Sequence, residues 1–432
     1  MKKTRLLFDA TLISEYAKKN SRRTGVYFVE YNLFLKMSEG GLFDILLYCR
    51  PNCIQDLKNV LGSSVFKGCD FRILNDLSGF TAILGNLWRF FDCYAESNRI
   101  TRVIRNRIYR LLFYLNTKEL SEKLEREEID AYFSSETVEM PFSVFENPKI
   151  KKYMVVNDVI PLIFPEYFEG ARKGRKHPAV KALEQLNTGK EMYAIAISEH
   201  TKKDLVKLLE VSRKNNVMVA HLACNGSFVR CTDGERIKGV KRRYGIPESS
   251  EYVLCLCTLE PRKNLKRAAE AFVRFIRKND IKDLYLVLCG SSWDDFIKKL
   301  ENSIDDLGDF KKNIIRTGYV EDADVPVLYS GAKWFVYTSQ YEGFGLPPLE
   351  AMSCGCPVVT SNNSSLPEVV GDAGIMIDYD SIEQHIEAYE RMYYDEAFRK
   401  RCMIKGLEQA GRFSWDKCCS RIEDFISKEE QK

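Results

Sequence analysis

Short runs rich in β-branched and aromatic residues alternate along this chain with longer amphipathic segments, and that alternation most constrains what it can fold into. It is the rhythm of βαβ units, which assemble parallel sheets covered by helices on both faces. In the first half the runs 5–8, 43–48, 131–134, 153–156 and 193–197 read as strands; in the second half, 252–257, 284–288, 314–317, 334–338 and 357–360. A single hydrophobic core stops growing at about 250–300 residues. At 432 residues the chain is therefore expected to form two α/β domains. The stretch 225–250 turns polar and carries glycines, with Tyr244-Gly-Ile-Pro247 just ahead of the first strong strand of the second half. The expected division is 1–225 and 226–412, with a terminal helix over 413–426 that packs on either lobe.

Hydrophobic residues make up 45% and charged residues 29% of the chain, far from the signature of disorder. The 65 basic against 61 acidic residues leave a net charge of +4, without the basic excess of a dedicated nucleic-acid binder, so no nucleic-acid partner is expected. No apolar run approaches the roughly 18 residues of a membrane span. The apolar run after Met-Lys-Lys-Thr-Arg is broken at Asp9, as in a buried strand rather than a signal peptide, and a cytoplasmic location is expected. The 14 cysteines are scattered, with Cys255, Cys257 and Cys289 inside apolar strand runs, which favours reduced thiols over a disulfide framework. Cys354-Gly-Cys356 and Cys418-Cys419 lack paired metal-ligand spacing, and with four histidines in the chain no metal is expected.

The stretch Tyr341-Glu342-Gly-Phe-Gly-Leu-Pro-Pro-Leu-Glu350-Ala-Met-Ser-Cys-Gly355-Cys-Pro357 follows a strand and carries clear helix punctuation. Pro347 and Pro348 suit a first turn, where missing amide donors matter least; Gly355 suits the position past the end, and Pro357 prevents continuation. A short helix over about 347–354 is expected. Ahead of it, Gly343, Phe344 and Gly345 can approach a ligand closely and aim backbone amides at it beside the positive end of the helix dipole. Glu342 in the loop and Glu350 on the helix then frame one concavity at the carboxyl end of a parallel strand, where open α/β sheets bind ligands. A polyhydroxyl ligand bearing phosphate fits, as carboxylates accept from hydroxyls while amides meet negative charge. On local signals alone, a solvated turn in which Glu350 balances the dipole is the competing reading.

A second element, Leu259-Glu-Pro-Arg262-Lys263-Asn264-Leu265, lies between a strand and an amphipathic helix, with Asn264 expected as N-cap. Arg262 and Lys263 stand at the helix entrance, where two cations can neutralise a diphosphate.

Together these residues resemble glycosyltransferase family 4, retaining enzymes with the GT-B fold of two Rossmann-like domains whose parallel sheets face across a cleft. The resemblance rests on the E-x7-E pair Glu342 and Glu350 within Glu-Gly-Phe-Gly-Leu-Pro, on Glu-Pro-Arg-Lys-Asn at 260–264, and on Thr317-Gly-Tyr-Val320 and Ser365-Leu-Pro-Glu368. The first half matches more loosely through Gly25-Val-Tyr27 and Asn157-Asp158-Val-Ile-Pro161. The resemblance implies that Glu342 and the amides of Gly343, Phe344, Gly345 and Leu346 hold the donor sugar, Glu350 the ribose, and Arg262 with Lys263 the diphosphate. Val320 would lie by the base, and Gly25 on the acceptor side. It implies a nucleotide sugar as co-substrate, no metal or other cofactor, and retention at the anomeric carbon. Where the family often has histidine, this chain has Asn157 beside Asp158; asparagine hydrogen-bonds a hydroxyl but exchanges no proton near neutral pH. Cys255-Leu-Cys257 replaces the glycine common before the basic loop.

By family similarity the leading expectation is mannose transfer from GDP-mannose to a glycan or lipid-linked oligosaccharide in surface polysaccharide assembly. UDP-glucose, UDP-N-acetylglucosamine and GDP-fucose are alternative donors, and protein an alternative acceptor. A sugar-nucleotide epimerase, a phosphorylase and a non-catalytic protein on the same fold are the rival functions.

The segment 99–115 places arginines at 99, 102, 105, 107 and 110 among apolar residues at helical spacing. Such a helix either covers a sheet with its basic face solvated or lies on an anionic membrane surface with Trp88, Phe90 and Phe91 as anchors. His200 and His221 are expected as cap or surface residues, and Asp9 as a turn-stabilising or cleft-facing carboxylate.

Overall fold

The structure, a computed structural model, describes residues 3–15, 25–62, 71–93, 99–167, 176–208, 216–258, 260–290 and 312–432. It divides into two compact units, one of Met1–Ile197, Lys202–Ala220 and Trp415–Lys432, the other of Ser198–Thr201 and His221–Ser414.

In the first unit β1 (Thr4–Asp9), β2 (Phe43–Tyr48), β3 (Ala131–Ser134), β4 (Lys151–Val156), β5 (Met192–Ala196) and β6 (Val217–Val219) form a parallel sheet in the order β2-β1-β3-β4-β5-β6. Leu6, Leu7 and Phe8 are all fully buried, so β1 is covered on both faces, which is why it reads as a continuous apolar run rather than an alternating one. Strand order reverses direction between β1 and β3. At that point Asp9 ends β1 and turns the chain: its carboxylate accepts from the amide and hydroxyl of Thr11 at 3.1 and 2.6 Å and from the Tyr132 hydroxyl at 2.6 Å. The terminal helix runs over Trp415–Glu430 and packs in this unit, with Phe425 edge-on to Tyr153 and Tyr193 and Glu430 accepting from the Tyr153 hydroxyl at 2.9 Å.

In the second unit β7 (Glu251–Leu256), β8 (Leu284–Cys289), β9 (Ile314–Gly318), β10 (Trp334–Tyr337), β11 (Val358–Ser361) and β12 (Gly374–Ile377) form a parallel sheet in the order β12-β11-β10-β7-β8-β9. The helix Leu265–Lys278 buries Ala268, Phe272, Phe275 and Ile276 against this sheet, and Phe275 meets Trp334, Tyr389 and Tyr393 edge-on. Truncating Phe275 to Ala is expected to cost about 3–5 kcal/mol. Here direction reverses between β7 and β10, paired side by side at Trp334 and Val253. This is the switch point of the sheet, and such sheets bind ligands at the carboxyl ends of the strands there.

Two strands, β6 and β12, are absent from the sequence expectation. The first has three residues and the second starts on a glycine, so neither carries enough β-rich pattern to read alone. The thirteen cysteines among the described residues are all free. No described helix is long and apolar enough to cross a membrane.

Candidate active site

The two loops at the reversal point carry the sequence-predicted cluster. After β7 the chain makes a 3₁₀ turn over Pro261–Lys263, and Asn264 follows in the left-handed conformation, φ 57°. Asn264 therefore holds the N-cap position of the Leu265–Lys278 helix without capping it; its side-chain amide instead donates to the Tyr379 carbonyl at 2.6 Å. Leu259, part of the same motif, lies outside the described residues. After β10 the chain passes through Thr338–Tyr341 to Glu342.

Glu342 is the hub. Its Oε1 accepts from Arg262 at 2.9 Å, from the Lys263 ammonium at 2.7 Å and from the Tyr337 hydroxyl at 3.0 Å. Arg262 also donates to Glu260 at 2.9 Å and to the Tyr341 carbonyl, while Lys263 donates to the Tyr337 hydroxyl at 2.7 Å. Arg262 is 7% and Glu342 8% exposed, so these charges interact with little solvent screening. Burial pushes the Glu342 carboxyl up, but the cations of Lys263 and Arg262 outweigh it and hold the group below its ordinary value. Arg262 and Lys263, read from the sequence as partners of a diphosphate, are both engaged by carboxylates.

The loop beyond Glu342 is held by its carbonyls. Ser365 Oγ lies 2.9 Å from the Glu342 oxygen and 2.6 Å from that of Phe344, and donates there. The Gly343 carbonyl accepts from Ser198 and Thr201 at 2.7 and 3.0 Å. With three successive carbonyls turned to buried hydroxyls, the amides of Gly343, Phe344 and Gly345 have no acceptor among the described residues. Such a row of amides beside a helix N-terminus suits an anion. Gly345 is required in two ways: its φ of 117° disfavours any side chain, and a Cβ would meet Leu366 at 2.9 Å.

Leu346 opens the helix Leu346–Ser353, with Pro347 and Pro348 in its first turn and Gly355 at φ 70° past its end, as the punctuation predicts. Glu350 on this helix keeps separate company. Its nearest partner is the Tyr329 hydroxyl at 3.3 Å, and burial pushes its carboxyl up to about 7 against that hydrogen bond. Val320 is buried just after β9. Phe344 packs against Phe413 and His221, so its side chain anchors the loop.

Several supporting residues escape sequence reasoning. Tyr337 lies on β10, where an aromatic reads as core. Ser198 and Thr201 are about 145 residues away from the carbonyl they hold, and no local signal marks them. Glu368 accepts from the Glu199 amide at 2.9 Å and hydrogen-bonds His221, so His221, expected as a cap or surface residue, is a half-buried hydrogen-bond partner. In the first unit Asn157 and Asp158 follow β4. The Asn157 amide donates to Thr137, and Asp158 accepts from the Ile160 amide at 2.9 Å, fixing the turn into Ile160–Ile163. Gly25 begins the helix Gly25–Gly40.

Residues 237–409 match the family described as Glycosyl transferases group 1. The chain is 34% identical over 270 residues to O-antigen chain mannosyltransferase B of Escherichia coli, covering 61% of this chain and 67% of that protein. It is 29% identical over 287 residues to the serotype-specific mannosyltransferase WbdA of Escherichia coli, 66% of this chain but 34% of WbdA, so it spans about a third of that relative's length. Among solved structures, Anabaena Alr3699/HepE in complex with UDP and glucose superposes with a TM-score of 0.67 at 15% identity, covering 98% of this chain and 100% of that one. The lipopolysaccharide glycosyltransferase WaaG does so with a TM-score of 0.62 at 14% identity, covering 98% of this chain and 99% of that one. At such identities these likenesses show the architecture, which is that of the GT-B enzymes. The sequence matches show the rest: this chain belongs to the group 1 glycosyl transferases and is a glycosyltransferase.

Proposed function

We propose that the protein transfers mannose from GDP-mannose to a growing surface polysaccharide of the O-antigen kind, with retention at the anomeric carbon. The observation that carries this reading is the 34% identity to O-antigen chain mannosyltransferase B. The site has the chemistry the reaction needs. The bond between the anomeric carbon and the diphosphate oxygen breaks, the acceptor hydroxyl oxygen bonds to that carbon, and its proton passes to the departing diphosphate. Charge builds on the leaving oxygen as the bond opens, and Arg262 and Lys263 stabilise it. They are positioned for this by Glu342, which orients them in advance and so lowers the reorganisation the reaction requires. Glu342 and the amides of Gly343, Phe344 and Gly345 bind the donor sugar and phosphate, and the Glu350 carboxylate accepts from the ribose hydroxyls. Asn157 hydrogen-bonds a sugar hydroxyl, and Asp158 fixes the turn that carries it. The two cations neutralise the diphosphate in place of a metal ion. The acceptor is a glycan on a lipid carrier, and the reaction takes place in the cytoplasm.

The test is transfer from radiolabelled donors to an extracted lipid-linked polysaccharide primer. Incorporation from GDP-mannose alone supports the reading. Incorporation instead from UDP-glucose, UDP-N-acetylglucosamine or GDP-fucose, or into protein, contradicts it.

A further inference from the structure

In the first unit the helices Gly79–Asp92 and Arg99–Arg126 pack side by side, joined by Arg105 to Asp92 at 2.9 Å and by contact of Trp88 with Tyr109. Each turns one face inward. Thr81, Leu84, Gly85 and Trp88 are buried from the first helix, and Leu112, Asn116, Leu120 and Leu124 from the second. Each also carries an apolar stripe on the face left in solvent. On the first it is Phe80, Ile83, Leu87 and Phe90, at helical spacing, with Phe80 59% and Phe90 60% exposed. On the second it is Ile100, Val103, Ile104, Leu111 and Tyr114, with Ile100 67% and Tyr114 68% exposed. A sheet-covering helix with a solvated polar face does not look like this, and soluble proteins rarely leave so many large apolar side chains together in water.

The charges around the stripes select what covers them. At 100° per residue Arg107 falls in the middle of the second stripe, and Arg99 and Arg110 lie along one edge of it. All three are exposed, with no acidic partner among the described residues. A second copy would set its own arginines against these, and a protein partner would have to supply a carboxylate for each. A bilayer with anionic headgroups accommodates both, with apolar side chains sinking to the acyl boundary while arginines reach the phosphates.

We propose that this helix pair docks the protein peripherally on an anionic membrane surface, with Phe80, Ile83, Leu87 and Phe90 inserting beside the Arg99–Arg126 helix. Trp88, an anchor candidate by sequence, faces inward and takes no part. The surface belongs to the first unit and does not depend on which sugar the enzyme transfers.

The experiment is co-sedimentation of the full chain with vesicles of phosphatidylethanolamine containing 30% phosphatidylglycerol, and with vesicles of phosphatidylcholine alone, at low and high salt. The wild type is expected to pellet with the anionic vesicles and to be released by salt. With about 1 kcal/mol per basic residue at such a surface, Arg99→Glu/Arg107→Glu/Arg110→Glu is expected to weaken partitioning about 100-fold or more. Phe80→Ser/Ile83→Ser/Leu87→Ser/Phe90→Ser is expected to weaken it tenfold or more, with melting temperature and donor-nucleotide binding unchanged in both variants. No pelleting of the wild type with anionic vesicles overturns the proposal, as does equal pelleting of the charge-reversed variant. A surface that instead joins two copies, seen as a dimer mass that the serine variant abolishes without any vesicle binding, also overturns it.

Discussion

Lys263 Nζ and Glu342 Oε1, from loops 79 residues apart in sequence, meet at 2.7 Å where the second sheet reverses direction. The pair joins the loop after β7 to the loop after β10, and its environment sets what substitutions there do.

Removing the carboxylate leaves Arg262 and Lys263 buried beside one another. Glu342→Ala is therefore expected to lose about 3–5 kcal/mol of stability as well as transfer activity. Nothing in the sequence marks Glu342 as a buried counter-ion. On the proposed mechanism the Lys263 charge acts most strongly in the transition state, so Lys263→Met is expected to lower kcat about 100-fold or more with a smaller change in acceptor KM. Chemical denaturation and steady-state kinetics on the two variants check these outcomes.

Glu350 makes stability depend on pH. Its carboxyl is raised from 4.5 to about 7 in the folded protein, so the folded state holds a proton that the unfolded chain releases earlier. The stabilisation is fully present below about 4.5 and is lost as pH rises to about 7. Glu350→Gln is expected to abolish that part of the slope, read as melting temperature between pH 4.5 and 8. If the ionised form accepts from ribose, nucleotide affinity rises through the same interval in the wild type and stays flat in the variant.

The hydroxyls of Ser198 and Thr201 hold the Gly343 carbonyl. Ser198→Ala/Thr201→Val is expected to release the loop and raise donor KM about tenfold, with Thr201→Ser nearly neutral. An equal loss in Thr201→Ser would assign the effect to packing. Gly345→Ala meets both a left-handed backbone and Leu366, and is expected to lose nearly all donor affinity.

If the two cations take the place of a metal, transfer proceeds undiminished in excess chelator. Activity that disappears with chelator and returns with a divalent ion would contradict that proposal.

The readability of this chain follows the range of the physics involved. Helix boundaries around Glu350 are legible because proline and glycine act within one turn. The pairing of Glu342 with Arg262 is not, because it depends on two strands distant in sequence lying side by side. Asn264 has the residue type of an N-cap, yet the preceding 3₁₀ turn forces it to φ 57° and sends its side chain elsewhere. Of the stripe Phe80, Ile83, Leu87 and Phe90 only Phe90 is read from the sequence as a membrane anchor, since apolar spacing tells which side of a helix is hydrophobic and not what that side meets.

The most direct measurement is the thermal shift that GDP produces in the wild type and in Lys263→Met, without added metal. A ligand that binds only the folded state raises the melting temperature. A clear rise with GDP in the wild type, greatly reduced in Lys263→Met, is the predicted result. An equal rise in both proteins would mean that the nucleotide diphosphate is held elsewhere than at Arg262, Lys263 and Glu342.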